Sequence, residues 1–113
     1  MSDCIFCKIA NKEIPSQMVY EDDLVIAFKD IAPQADIHIL VVPRKHLVNL
    51  SDMEEGDKEL IGHIHYVASK IAREIGIAES GFRIVSNHNT DAGQVVFHLH
   101  FHILGGNSLG KFW

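Results

Sequence analysis

Cysteines and basic side chains are scarce in this chain of 113 residues, and long apolar runs are absent. With only two cysteines, Cys4 and Cys7, we expect no disulfide framework. The first residues lack the charged segment and the apolar segment of a signal peptide, so we expect none. Both features favour a reduced, cytoplasmic compartment.

The charge balance narrows the set of partners. Ten Lys and Arg stand against fifteen Asp and Glu, which gives a net charge of -5 with neutral histidines. Because no long basic stripe is present, we expect no nucleic-acid polymer as a partner. No apolar run approaches the roughly 20 residues of a membrane span, so we expect no membrane partner either.

The apolar pattern predicts one α+β domain over residues 1–113. Helical spacing predicts a short helix at 4–11 and a long helix at about 57–75, with Ser51 and Glu54 at capping-box spacing ahead of it. Short apolar, β-branched and alternating runs predict strands at 18–20, 24–28, 37–42, 82–86 and 95–104. Since helices do not alternate with every strand, we expect a five-stranded, mainly antiparallel sheet.

Histidine is abundant, with eight residues, and three of them alternate with apolar residues near the C-terminus: His98, His100 and His102. On a strand they would share one face at ~6.6 Å spacing, and the outer pair would be ~13 Å apart. One metal ion cannot bind all three at that spacing, although it could bind two with ligands from elsewhere. Otherwise the row offers one nucleophile flanked by two polar helpers, or simply an exposed polar face.

Residues 98–104 match the pattern His-φ-His-φ-His-φ-φ, where φ is apolar, and this pattern resembles the signature of the histidine triad (HIT) family. The block 93–106 is similar to the Hint branch of nucleoside phosphoramidases. The similarity extends to 28–33 and to Ala35, His38 and Asn87, and so it covers nearly the whole chain.

This resemblance implies an enzyme that cleaves nucleoside 5′-phosphoramidates of the adenosine or guanosine type, or related nucleotidyl compounds. It implies that His100 attacks the α-phosphorus and that water hydrolyses the resulting nucleotidyl-histidine. His102 and His98 would orient the substrate and stabilise charge, and His38 would hydrogen-bond behind the nucleophile. Two alternatives stay open: a nucleotide-binding interaction module with little turnover, and a zinc-dependent hydrolase that uses His98 and His100.

The resemblance also implies a purine nucleotide pocket. Asp30 would bind the ribose hydroxyls, with Ile31 beside it, since a carboxylate accepts hydrogen bonds from both members of a diol. Apolar positions would enclose the base, and they are Ile5, Phe6, Ile9, Phe28 and Leu40. Each of these residues could equally be ordinary core.

The loop that enters the last strand would contribute to the phosphate site. Asn87, Gly93 and Gln94 match family positions there, and Gly93 can adopt a positive φ that turns main-chain N–H groups toward a phosphate. Val95 departs from the family, because many Hint-like proteins have serine at this position. Val95 offers no hydroxyl, so turnover or preference among leaving groups would differ.

Cys4 and Cys7 form a C-x-x-C pair, which could be two ordinary cysteines on one face of a short helix. Some bacterial HIT proteins bind zinc with such a pair and two histidines, which match His46 and His98. The resemblance therefore implies a structural Zn²⁺ site, because a set of two Cys and two His fills a tetrahedral coordination shell. His63, His65 and His88 remain surface or packing residues.

The Hint branch forms homodimers in which the sheets join edge to edge into a ten-stranded sheet. By this resemblance the long helix would contribute Ile61, Ile64 and Val67 to the interface. The terminal Phe112 and Trp113 would reach the pocket of the partner.

Overall fold

A computed structural model describes residues 3–112, so Trp113 and the first two residues lie outside the described residues. The order of elements is the one predicted: helix, three strands, long helix and two strands. The elements are α1 (Ile5–Ala10), β1 (Met18–Glu21), β2 (Val25–Lys29), β3 (Ile37–Pro43), α2 (Lys58–Glu74), β4 (Phe82–Val85) and β5 (Phe101–Gly105). Within the described chain, no helix is both long and apolar enough to cross a bilayer.

The five strands form one sheet in the order β1-β2-β3-β5-β4, and every neighbouring pair is antiparallel. The predicted α+β class with an antiparallel sheet is therefore confirmed. The central pair sets the site, because Leu40 of β3 lies opposite His102 of β5 and His38 lies opposite Leu104. Since residues two apart on a strand share a face, His38, Leu40 and His102 all lie on the same face of the sheet.

The sheet buries both faces, and each face packs against one helix. The α2 face packs through buried residues that include Ile64, Val67, Phe101 and Ile103. The opposite face packs against the short helix α1 through Phe6, Ile9, Ala10, Ile26, Phe28, Leu40 and Val42. His38 and His102 belong to this second face, so α1 covers the sheet next to the histidines.

The histidine strand is shorter than predicted. β5 begins at Phe101, and residues 95–100 run as an irregular segment beside the chain that follows β3. The Leu99 amide donates to the carbonyl of Leu47 at 2.6 Å, so the segment bonds to a loop and not to the sheet. The regular alternation expected for His98, His100 and His102 thus holds only from residue 101 onward.

The helix start also differs from the prediction. The capping box joins Glu54 and Asp57 in the 3₁₀ turn Glu55–Asp57 that leads directly into α2, each accepting from the other's main-chain N–H. The Ser51 hydroxyl instead lies 2.9 Å from His88 Nε2. Asp57 is buried and accepts from Lys45 Nζ at 2.6 Å. The capping box therefore lies one turn later than predicted, and its Asp57 is paired with Lys45.

Gly105 at the end of β5 is a point of close approach that yields a stability prediction. A Cβ there would lie 2.8 Å from Ile77 Cδ1 and 3.3 Å from the Gly81 carbonyl oxygen. We expect Gly105→Ala to lower the free energy of unfolding by about 1–3 kcal/mol in urea titrations, because the neighbours must move. The control is Gly62→Ala in α2, where nothing lies within 4 Å. It should be neutral or stabilise by up to about 1 kcal/mol.

Candidate active site

His100 has a fixed tautomer. Its Nδ1 lies 2.7 Å from the main-chain oxygen of His98, and since a carbonyl only accepts, Nδ1 carries the proton. Nε2 is therefore left with the lone pair. The ring is buried, and the Phe6 ring packs edge-on against it at 5.1 Å between centroids. Burial lowers the pKa of His100, so the imidazole is neutral near pH 7 and able to act as a nucleophile.

His102 is fixed in the opposite tautomer through His38. The main-chain N–H of Gln34 donates to His38 Nδ1 at 2.9 Å, so His38 carries its proton on Nε2. That Nε2 lies 2.8 Å from His102 Nδ1, which must accept, and His102 therefore carries its proton on Nε2. Within the described residues, His102 Nε2 is buried and has no hydrogen-bond partner. A buried, unpaired N–H is costly, and a ligand group could satisfy it.

The structure thus changes the expected place of His38. It was expected behind the nucleophile His100, yet it bonds His102, and the group behind His100 is the carbonyl of His98. His98 itself turns away from the other two histidines. Its Nε2 donates to the Pro43 carbonyl at 2.8 Å, and its Nδ1 faces the two cysteines and His46.

A cavity of about 340 Å³ opens beside His100 and His102. Most of the predicted pocket residues line it: Ile5, Phe6, Ile9, Phe28, Asp30, Ile31, Leu40, Val95, His100 and His102. Two apolar side chains at its rim face solvent, since Ile31 is 99% exposed and Val95 is 83% exposed. An apolar cavity with a few polar groups at one end has the character of a small-molecule site.

Asp30 lies at the polar end of this cavity. Its Oδ1 accepts from the Ala32 amide at 2.8 Å, and its Oδ2 lies 3.4 Å from His38 Nε2. The carboxylate is one-fifth exposed, so it can be reached by a ligand in the cavity.

Three residues predicted for the phosphate side do not line the cavity. Gln94 is buried. Its side-chain Nε2 donates to the carbonyls of Val48 and Val96, and its side-chain Oε1 accepts from the main-chain N–H of Asn89. Gly93 has the expected positive φ of 87°, and it closes the turn before Gln94. Asn87 is half-buried in the preceding loop and is likewise absent from the lining.

Sequence reasoning missed several wall residues because no motif marks them. They are Ile14, Pro15, Ser16, Lys29 and Val96, most of them in connecting segments. The Ser16 hydroxyl is buried without a partner among the described residues. The amide of Gln34 was also missed, since a main-chain donor leaves no signal in the side-chain pattern.

Cys4, Cys7, His46 and His98 come together at the start of α1, with their ligand atoms within 4.8 Å of one another. His98 Nδ1 lies 3.2 Å from Cys4 Sγ, 3.6 Å from Cys7 Sγ and 3.1 Å from His46 Nδ1. Tetrahedral zinc with bonds of ~2.0–2.3 Å separates its ligand atoms by ~3.3–3.8 Å, which is close to these distances. Because His98 Nε2 donates to Pro43, its Nδ1 lone pair is free to bind a metal. The four residues could therefore hold a metal ion.

A second group, Asp30, His38 and His102, has a similar spacing but the wrong donor chemistry. His38 Nδ1 is occupied by the Gln34 amide, so the Nε2 that faces the group carries a proton and offers no lone pair. This group does not fit a metal ion. His63, 2.7 Å from Asp22 Oδ2, and the exposed His65 lie elsewhere, on α2.

The pKa of His102 leads to a prediction about acid stability. Burial, with the neighbouring imidazoles, lowers this pKa from 6.5 to about 4. As the pH falls, the unfolded chain therefore takes up a proton first, so the stability contributed by neutral His102 is full above about pH 6.5 and is lost toward pH 4. When the pH is lowered from about 7 to 4.5, the free energy of unfolding should fall in both proteins, and the fall should be roughly 2 kcal/mol smaller in His102→Gln than in wild type. An exposed-site control, His65→Gln, should lose as much as the wild type in the same urea titrations.

Comparisons with known proteins identify the family of this chain. The model of the HIT domain family matches residues 11–109. The purine nucleoside phosphoramidase of Escherichia coli K12 is 47% identical over 108 residues, covering 96% of this chain and 91% of that protein. A histidine triad protein from Clostridium difficile is 52% identical at a TM-score of 0.97, covering 100% of this chain and 98% of that one. A HIT family hydrolase from Clostridium thermocellum is 45% identical at a TM-score of 0.95, covering 98% of this chain and 96% of that one. The chain therefore belongs to the HIT family.

Proposed function

We propose that this chain hydrolyses nucleoside 5′-phosphoramidates of the adenosine or guanosine type, or related nucleotidyl compounds, through a nucleotidyl intermediate on His100. One observation carries the proposal. His100 and His102 line the same cavity with opposite tautomers, one with a lone pair on Nε2 and the other with an unpaired Nε2–H. The likeness to a purine nucleoside phosphoramidase supports the same reaction class.

In the first step the Nε2 lone pair of His100 forms a bond to the α-phosphorus and the P–N bond of the substrate breaks. The leaving nitrogen takes a proton from solvent and departs as the neutral amine, and the attacking water returns that proton to solvent in the second step. Positive charge develops on the imidazole, and the His98 carbonyl that accepts from Nδ1–H stabilises it. The Nε2–H of His102 donates to the phosphoryl group as its negative charge grows. In the second step water attacks phosphorus, the P–N bond to His100 breaks, and a nucleoside monophosphate leaves.

The rest of the cavity would bind the nucleoside. Phe6, Phe28 and Ile31 provide apolar surface for a purine base, and Asp30 provides acceptors for the ribose hydroxyls. Val95, at the rim, offers no hydroxyl to the phosphate or the leaving amine. Asn87, Gly93 and Gln94 would act by shaping the loop, since Gln94 ties it to the carbonyl of Val48.

The zinc-dependent hydrolase is the weaker alternative. Its two ligands would be His98 and His100, but the Nδ1 of His98 faces the cysteines while His100 lines the cavity and belongs to neither group of possible ligands. An interaction module with little turnover predicts the same nucleotide binding without a covalent step.

The expected cytoplasmic location stays a prediction.

The nucleophile can be tested by mass spectrometry after brief mixing with an adenosine phosphoramidate. Wild type should carry a nucleotide adduct, and His100→Ala should carry none and lose nearly all turnover while staying folded. In the matched variant His102→Ala the adduct should still form, at a rate lower on the order of a hundredfold, because only a hydrogen bond to the transition state is lost. An adduct that persists in His100→Ala would contradict the mechanism.

We further propose that Cys4, Cys7, His46 and His98 bind one structural Zn²⁺ per chain. The ion would tie α1 to the loop after β3 and to the segment that precedes β5. It supplies a cross-link and no chemistry to the reaction, because His100 is outside the ligand set.

Elemental analysis of protein purified without chelator should find one zinc per chain. Cys4→Ser should lower the zinc content and the melting temperature together, because it removes one of four ligands. His88→Gln, which alters a histidine bonded only to Ser51 among the described hydrogen bonds, should keep both. A wild type that contains no zinc and is as stable as the same protein with zinc added would refute the site.

We also propose a homodimer that joins β4 strands edge to edge, since β4 pairs only with β5 among the described strands. The helix contacts need correction. Ile64 and Val67 are fully buried in the protomer's own core, so they cannot form the interface. Phe112 is largely exposed and packs near the Arg83 guanidinium, whereas the role expected for Trp113 falls outside the described residues.

Light scattering at micromolar concentration should give twice the mass of one chain. Arg83 lies on β4, and Arg83→Pro should produce monomers, because proline disrupts an edge that must pair. Val19→Pro, on the opposite edge strand β1, should leave the dimer intact. A monomeric wild type would exclude the proposed assembly.

A further inference from the structure

The Asp30 carboxylate lines the cavity and also lies beside the buried histidine His38. Its Oδ2 lies 3.4 Å from His38 Nε2, the same N–H that donates to His102 Nδ1 at 2.8 Å. His38 is 6% exposed, so water does not screen this contact well. The residue proposed for the ribose is therefore also the nearest acidic group to the histidine pair.

We propose that Asp30 is a positioning residue for His38 and His102, so that it supports the chemical step as well as the ribose. This inference rests on the proposed phosphoramidase function and deepens it. The Gln34 main-chain N–H sets the tautomers, and the carboxylate beside His38 Nε2 holds the orientation of the His38 ring and, through it, of the His102 Nε2–H that faces the substrate. A sugar bound at Asp30 is then in contact with the group that sets the proton donor.

The orientation of the two rings depends on the groups around His38. The Gln34 main-chain N–H fixes one nitrogen of His38, and the other nitrogen donates to His102 Nδ1 at 2.8 Å with Asp30 Oδ2 at 3.4 Å beside it. An anion on this side attracts the N–H, whereas a second donor would repel it. The same carboxylate also opposes the effect of burial on the pKa of His38 and of His102.

A purely structural role for Asp30 can be separated from this one. Its other oxygen accepts from the Ala32 amide at 2.8 Å, which forms a turn typical of Asp and Asn. Asp30→Asn keeps this acceptor through the amide oxygen. It places an NH₂ group, which is a donor, toward His38 Nε2. The turn is preserved while the acceptor beside the histidine pair is lost.

The kinetic test uses an adenosine phosphoramidate and its 2′,3′-dideoxy analogue. If Asp30 served the ribose alone, Asp30→Asn would not change the rate for the dideoxy substrate, which has no hydroxyl to bind. We expect its kcat to fall about tenfold at nearly constant KM, because the hydrogen-bond donor is no longer held. Asp23→Asn, the same charge change at an exposed site between β1 and β2, should leave kcat unaltered. An unchanged kcat for the dideoxy substrate in Asp30→Asn would overturn the proposal.

A second readout needs no turnover. The ¹⁵N chemical shifts of the imidazoles report which nitrogen carries the proton in nucleotide-free protein. Both proteins should show His38 and His102 as Nε2–H tautomers, because the Gln34 main-chain N–H is kept. In Asp30→Asn the ¹⁵N shifts of His38 Nε2 and His102 Nδ1 should change, because the hydrogen bond between them is weakened. Identical shifts for this pair in the two proteins would overturn the proposal. If no phosphoramidate reacted with wild type, the proposed function would fail, and the comparison of shifts would still decide the role of Asp30.

Discussion

Three hydrogen bonds between imidazoles and the main chain determine the chemistry of this site. The Pro43 carbonyl fixes one nitrogen of His98, and the His98 carbonyl fixes one nitrogen of His100. The main-chain N–H of Gln34 fixes one nitrogen of His38. A main-chain group cannot change from acceptor to donor, so each ring has one allowed neutral tautomer. His102 follows from His38, and burial keeps all four rings neutral near pH 7 by lowering their pKa. One lone pair and one N–H at the cavity are the result.

The order of elements and most of the cavity wall could be predicted from the sequence, because they depend on side-chain pattern. Alternating and helical spacing identified each strand and both helices, and the family resemblance singled out Asp30, Phe28 and the histidines. The tautomers could not be predicted, since they depend on main-chain groups that every residue possesses. The start of β5 was missed for the same reason: Leu99 alternates with the histidines, but its amide bonds to Leu47 and not to β3.

The irregular segment 95–100 gives His98 a role different from that of its neighbours. On an extended strand its ring would point into the cavity with the other two. Here the ring turns toward the cysteines while its carbonyl remains beside His100. Helix α1 reinforces this link, because Cys4 caps it and Phe6 packs against the rings of both His98 and His100. Residues that share partners in this way give non-additive effects, so substitutions at the Cys4–Cys7–His46–His98 cluster and at His100 have to be compared in pairs.

Val95 shows what this division of labour means for the substrate. It is 83% exposed at the cavity rim. An exposed apolar side chain contributes no hydrogen bond to phosphate, so in the proposed mechanism stabilisation of the phosphoryl group falls on the Nε2–H of His102. That N–H depends in turn on His38, on the Gln34 amide and, by our proposal, on Asp30. A site with fewer direct donors relies more on the orientation of the one it has, and the buried chain of imidazoles supplies that orientation.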